Sequence, residues 1–442
     1  MKRIALFLAC ALLSLTLCSC AIEPISDVVP DMGYSSDHIY HLNSDQPDEN
    51  DAPDVPVDNG PRVLCDTEDF TVTVTSMEND EKRGVCYITF EYENKSDINL
   101  EFYRAYVTVN GWQTEDYILI EDVAPGESYT EELELHSYSI NGEAITPVDK
   151  TSFMLTICDA ADFWADPLLR ENYVLYPSGL TEDQIEIIER EHVQGEMVVA
   201  DYYDFSFVMM DINEEALFGP EIRCYIENNT DEFIDFSLQN MAVNGWTINP
   251  YFLVTLAPGC RQYTNITLDP KITEMCGIEQ IDRIAFLLSV SSSLDFDGEH
   301  YLYDHFLVMP NGHSPDGTPD PERTPVDGEK VIVDDDRLAI IFEPLTRKEN
   351  LLVTNLFIEN RTGTDIYMTL EDFLVNGTYE ASHLEFDCIP AGSCYYFPVE
   401  VVDYSFPDIS IEDAESLSCT VSIENYGPLF ALIFSERAEI SF

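Results

Sequence analysis

Three short marks recur along the chain at nearly constant spacing, and a repeat of that kind limits the fold more than any single residue does. The first mark is Glu-Asn-x-Ser/Thr, at Glu93-Asn94-Lys95-Ser96, Glu227-Asn228-Asn229-Thr230 and Glu359-Asn360-Arg361-Thr362. The second is Asn-Gly, at Asn110-Gly111, Asn244-Gly245 and Asn376-Gly377, always 16 residues after the first asparagine. The third is Ala124-Pro125-Gly126, Ala257-Pro258-Gly259 and Pro390-Ala391-Gly392, which starts 14, 13 and 14 residues after the second asparagine. All three are turn signals. Asn tolerates left-handed backbone and supports a turn with its side chain, Asn-Gly is the strongest short hairpin signal, and Pro-Gly ends strands.

Between the turns, apolar residues line up across copies. Leu100, Ile234 and Ile366 correspond, as do Phe102, Phe236 and Met368, then Val107, Met241 and Phe373, then Val109, Val243 and Val375. The period is two within each pair, but the parity shifts between pairs, which predicts a bulge or a break in the strand. Further strand-like runs lie at 85–92, 222–226 and 351–358, then at 152–157, 283–290 and 418–423, and last at 173–176, 301–309 and 438–442. Seven or eight short strands per copy with regular turns predict an all-β fold: three tandem antiparallel β-sandwiches at 62–179, 195–309 and 329–442. The pattern resembles the immunoglobulin-like repeat domains of uncharacterised lipoproteins from Gram-positive bacteria. The resemblance covers most of residues 62–442, rests on turn motifs, and brings no catalytic residues with it. Copy three departs from the others: Thr378 stands where they have Trp112 and Trp246.

The N-terminus predicts export. Lys2 and Arg3 precede an apolar run from Ile4 to Leu17, too short to span a bilayer. Leu17-Cys18-Ser19-Cys20 resembles a lipobox, which implies a signal peptide over 1–19, with Cys20 as the lipidated first residue of the mature chain and the membrane anchor. An ordinary secretory signal cut nearby is the alternative. Residues 21–61 hold ten acids, six prolines and no Lys or Arg, so 20–61 reads as a disordered acidic tether. With 84 acidic against 21 basic residues, the formal net charge is −63. Nucleic acid is therefore a poor partner. The acidity reads as solubility and self-repulsion at a cell surface, or as a match for cations or a basic partner.

The linkers differ. Thr181-Glu182-Asp183-Gln184 is a capping-box pattern that predicts a short helix to His192 within linker 180–194. Residues 310–328 hold five prolines and three glycines and predict an extended, mobile spacer.

Catalytic and metal motifs are sparse. No HExxH, G-x-S-x-G, P-loop or G-x-G-x-x-G occurs, and Cys/His metal spacing is missing after Cys20. The nine later cysteines do not share positions between copies, so a common disulfide framework is not expected; Cys388 and Cys394 make the best local pair. Asp295-Phe296-Asp297-Gly298-Glu299 begins like a calcium loop but reads better as a hairpin turn. Trp112 and Trp246 follow their Asn-Gly turns and read either as a stacking platform for a sugar or peptide, or as indoles folded over the sandwich end. No cofactor or metal is expected. The chain reads as a non-enzymatic, extracellular, lipid-anchored protein that binds an envelope protein or wall glycan, or serves as a structural stalk.

Overall fold

A computed structural model gives the architecture. It describes residues 61–442 apart from 81, 115–117, 120–121, 137–138, 141–142, 145–146, 163–164, 187, 191, 294–299, 311–319, 349, 381–384, 403–409 and 427–430. The expected signal peptide, Cys20, nearly all of the tether and the Asp295–Glu299 turn lie outside the described residues.

Alternating burial builds the strands into sandwiches. In Val85–Asn94 the inward positions Cys86, Ile88, Phe90 and Tyr92 are buried while Glu91 and Glu93 are exposed. The first sheet of copy one runs Arg62–Asp66, Phe70–Asp80, Val85–Asn94, Ser128–His136, and the second runs Leu169–Leu175, Thr151–Asp159, Leu100–Ala105, Ile118–Leu119. Copy two repeats this order with Met197–Asp201, Phe205–Asn213, Glu221–Asn228, Arg261–Thr267 and with His300–Val308, Ile284–Ser292, Ile234–Val243, Leu253–Leu256. Copy three repeats it with Lys330–Asp334, Leu338–Phe342, Leu351–Asn360, Cys394–Val402 and with Leu432–Ser441, Ser416–Asn425, Ile366–Val375, Glu385–Ile389. All of these pairings are antiparallel. Each opening edge strand is short and bulged, between Val63 and Cys65, Val198 and Ala200, and Val331 and Val333, which blunts the edge.

The parity shift is a bulge. Tyr106, Asn240 and Asp372 sit at equivalent places with φ of 55°, 51° and 55°, and the ladder slips there between Gln239 and Ala242 and between Glu371 and Leu374.

Two asparagines tie each copy together, the first of them fully buried. The Asn94 amide donates to the carbonyls of Ile98 (2.8 Å) and Val123 (2.7 Å), while its Oδ1 accepts from the backbone and hydroxyl of Ser96. Asn228 donates to Glu232, Leu256 and Ala257 and accepts from Thr230. Asn360 donates to Thr364, Ile389 and Pro390 and accepts from Thr362. The first and third marks are therefore in contact: one side chain closes its own turn and holds the carbonyls that lead into the Pro/Gly turn. The second asparagine works the same way on the late strand. Asn110 accepts from Asp149 and Lys150 N–H and donates to Pro147, Asn244 accepts from Asp282 and Arg283 and donates to Gln280, and Asn376 accepts from Glu415 and Ser416 and donates to Asp413.

Copy one alone replaces a core leucine by a charge. Arg104 occupies the place of Leu238 and Leu370 and is wholly buried. It donates to Tyr92 Oη (2.7 Å) and Glu131 (2.9 Å) and lies 4.4 Å above the Phe90 ring. Burial pushes the Tyr92 phenol up, out of the range in which it ionises.

The helix expectation needs correction, and so does the spacer expectation over 320–328; residues 311–319 of that spacer lie outside the described residues. After the capping-box residues only a single 3-10 turn forms, Glu182–Gln184, and Ile185 is already extended. The segment is drawn out because its backbone serves the neighbouring sandwiches, as described below. Residues 320–328 of the second linker are likewise pinned by side-chain contacts and do not form a free spacer. Pro56–Phe442 form one compact unit.

An Asn228→Ala substitution removes one donor from each of three carbonyls, of which Glu232 O keeps the Thr230 hydroxyl and Ala257 O keeps the Cys260 N–H. It should lower stability by roughly 1–3 kcal/mol, read as a shift of the urea midpoint of copy two. A loss under about 1 kcal/mol would contradict the staple.

Candidate functional site

The two places where one copy meets the next are built alike, and they collect most of the residues singled out by the sequence. Each begins at the Asn-Gly turn. Asn110 and Gly111 have φ of 49° and 80°, and Asn244 and Gly245 have 52° and 84°, values that suit Asn and Gly. At Gly245 a Cβ would sit 2.7 Å from the Arg283 guanidinium and 2.9 Å from Pro321 of the linker, so no other residue fits.

The turn aims the next two residues out of their own sandwich and onto the edge of the following one. Trp112–Gln113 pairs in parallel with Arg261–Thr267, and Trp246–Thr247 with Cys394–Val402. Arg261 N–H donates to Gly111 O at 3.0 Å and Cys394 N–H to Gly245 O at 2.8 Å. The first sheet of each later copy therefore gains a strand from the copy before it.

Both indoles are buried, Trp112 at 0% exposure and Trp246 at 5%. Trp112 packs 5.0 Å from the Tyr263 ring and 6.1 Å from Tyr225, with the Arg261 guanidinium 5.8 Å from its centre. Its Nε1–H donates to Ile188 O of the linker at 3.2 Å. Trp246 packs 6.2 Å from Phe357 and 6.3 Å from Tyr396, among Ala339, Ile341 and Cys394. The expectation of an exposed stacking platform is therefore corrected. Nor do the indoles fold over their own sandwich end: each is inserted into the next copy.

Polar side chains complete each joint. Gln113 donates to Thr255 O (2.6 Å) and accepts from Ala257 N–H (2.9 Å). Thr247 Oγ1 meets Ser393 Oγ at 2.9 Å, and Asn249 donates to Cys388 O at 2.8 Å. The left-handed bulge residues reach across too: the Tyr106 ring lies 5.3 Å from Phe233, and Asn240 donates to Asp365 at 2.7 Å.

The linkers close the joints with a motif that the sequence reading missed. Arg190, Val193, Gly195 and Glu196 recur in register as Arg323, Val326, Gly328 and Glu329, an R-x-x-V-x-G-E pattern. The Arg190 guanidinium lies 4.9 Å from the Tyr225 ring and makes two bonds to Glu196, while Arg323 lies 5.2 Å from Phe357 and bonds Glu329. Each Glu also accepts from its Val N–H, and each Gly has a positive φ, 93° and 87°. The Arg190 hydrogen bonds, helped by His192 and the Val193 N–H, hold the Glu196 carboxyl down at about 2.

The ends of the row lack these parts. In copy one, Glu91 and Thr130 stand where Tyr225 and Tyr263 or Phe357 and Tyr396 receive an indole, and both are exposed. In copy three, Thr378 stands in the tryptophan position.

Other candidates resolve differently. Three acids end the opening strand of their copies and are local anchors: Asp66 pairs with Lys95, Asp201 accepts from Ser206 and Asp334 pairs with Arg361. Among the described residues no group of His, Cys, Asp and Glu could hold a metal ion. Cys388 and Cys394 are unpaired and lie in different sheets. Beside the second joint, Phe218, Tyr251, Tyr395, Phe397, Asn249 and Asp387 line an open groove of about 460 Å³. Among the described residues no helix is long and apolar enough to cross a membrane.

No family model matches the chain, and no curated protein matches it. Among solved structures, Escherichia coli alpha-2-macroglobulin activated by porcine elastase aligns over 84% of this chain at 8% identity with a TM-score of 0.16. The aligned part spans 33% of that protein's length, and a likeness this distant carries no argument about fold or role.

Two outcomes test the joint. Trp112→Ala removes a fully buried indole, a change worth roughly 3–5 kcal/mol, and should speed exchange of the Arg261 amide while amides of both sandwich cores keep their protection. Unchanged Arg261 protection would contradict the assignment. For Glu196, the folded value near 2 lies below the ordinary carboxyl value of 4.5. Its stabilisation is present above pH 4.5 and is lost as the pH falls towards 2. The difference in melting temperature between wild type and Glu196→Gln should therefore shrink between pH 5 and pH 2, and a constant difference would contradict the clasp.

Proposed function

We propose that this chain is a lipid-anchored arm of fixed length on the outer face of the cell membrane, a structural element of the envelope without catalytic activity. The observation that carries the reading is the matched pair of joints. Both tryptophans are buried by the following copy, both linkers are clasped, and both ends of the row lack the complementary residues. Terminal units that present a polar outer face keep a repeat row soluble. The Leu17-Cys18-Ser19-Cys20 sequence supplies the attachment, and the acidic, proline-rich segment 21–61 separates it from the first sandwich. The acidity favours solubility and disfavours contact with anionic surfaces.

The groove beside the second joint supports a second reading, binding of a wall glycan or an envelope protein. Its volume falls in the range of small-ligand sites, and the Tyr251 and Phe218 side chains are 67% and 73% exposed at its rim. Aromatic faces next to the Asn249 amide and the Asp387 carboxylate suit a sugar ring.

Cell fractionation separates these claims. Cys20→Ala should move the protein from the membrane fraction to the medium, and retention at the membrane would contradict the anchor. Calorimetric titration of the soluble chain with wall glycan fragments should give no saturable heat if the arm is purely structural. A saturable signal lost in Tyr251→Ala would instead favour the groove.

A further inference from the structure

We infer that Cys276 and Cys394 form a closable disulfide staple across the second joint, a modification site that locks copy two to copy three. The two thiols come from different copies and pack into one cluster around Trp246. Each is held by ordered backbone. Cys276 caps helix α1 (Pro270–Met275), with its N–H bonded to Ile272 O, and the other end of α1 is fixed by Asp269, whose side chain accepts from the Lys271 and Ile272 amides. Cys394 opens the strand Cys394–Val402 and donates to Gly245 O in the joint itself. An ion pair between Lys271 of α1 and Glu400 of that strand seats the helix on the strand. A disulfide joins residues whose Cα atoms lie within roughly 7 Å, and α1 packs directly on the strand that Cys394 opens.

The first joint shows why the pair is particular to the second. The place of Cys394 is taken there by Arg261, which faces the indole as a cation and pairs with Glu227. The two joints thus share their backbone pairing and their tryptophan but differ in this one contact: a cation in the first, a thiol opposite a second thiol in the other. Elsewhere, Cys86, Cys224 and Cys419 lie inside single sandwich cores.

Closure needs a small-molecule disulfide as oxidant. The Cys276 thiolate, the more exposed of the two, attacks one sulfur of the oxidant. The oxidant's S–S bond breaks, a Cys276 mixed disulfide forms and one thiolate leaves. The Cys394 thiolate then attacks Cys276 Sγ and expels the second thiolate. The protein loses two protons and two electrons, and the oxidant is reduced to two thiols. Burial pushes both protein thiols up to about 12, so little thiolate is present at neutral pH and the rate should rise about tenfold per pH unit from 7 to 9.

The test uses the purified chain and glutathione disulfide at pH 8, so its result does not depend on how or where the chain is anchored. Peptide mapping should recover a Cys276–Cys394 cross-link that is missing in Cys276→Ser and in Cys394→Ser. In a Trp246→Ala background, reduced protein should lose protection of the Cys394 amide and oxidised protein should keep it. Free thiols at both positions after treatment of folded protein, a Cys276–glutathione adduct that never closes, or equal exchange in both redox states would overturn the inference.

Discussion

One buried amide side chain recurs as the organising contact of each sandwich. Asn94, Asn228 and Asn360 are fully removed from water, and each satisfies backbone groups from its own turn and from the segment before the Pro/Gly turn. Buried backbone carbonyls are costly without a donor, and the amide supplies one where the chain crosses from one sheet to the other. An amide is well suited to the task because it accepts and donates at once. The Ser or Thr two residues later completes the acceptor side. This is why the first and third marks, far apart in sequence, keep nearly constant spacing: they meet in space.

From that anchor the rest of the copy follows in sequence. The strand after the Asn turn must bulge so that its second half faces the core, and Tyr106, Asn240 and Asp372 take left-handed backbone to do it. The Asn-Gly turn then leaves the sandwich with two positive φ values and carries the next residue outward. In copies one and two that residue is tryptophan, and the following copy supplies aromatic residues to receive it. The joints also answer the electrostatic problem of a chain with net charge −63. Scarce cations are placed where acidic copies meet: Arg190, Arg261 and Arg323 lie over joint aromatics, and Lys271 pairs with Glu400. Guanidinium over an aromatic face in a buried setting holds better than an exposed pair.

The sandwich was largely legible because its signals are local. Turn residues, period-two burial and the shift of parity near Val107, Met241 and Phe373 each report on a few neighbouring residues. The joints were harder to read because their two halves sit in different copies. Comparing Trp112 with Trp246 shows a shared donor, but the acceptor appears only when Tyr225 and Tyr263 are set beside Phe357 and Tyr396, and Glu91 and Thr130 beside neither. The matching is offset by one copy, so aligning copies position by position hides it. The clasp was missed for a different reason. Proline and glycine around Arg323 suggested mobility, and the capping box before Arg190 suggested a helix, yet the same R-x-x-V-x-G-E pattern stands in both linkers. The helix failed to extend because Ile188 and Arg190 are held by Trp112 and Tyr225.

The central claim is that clasped tryptophan joints make three sandwiches one rigid body of set length. Small-angle X-ray scattering of residues 56–442 in solution measures this directly, across a range of salt that screens the repulsion between acidic copies. The account predicts one well-defined maximum dimension and a radius of gyration that is unchanged from low to high salt. A scattering profile that requires an ensemble of differently bent arrangements, or a radius that contracts as salt rises, would contradict it.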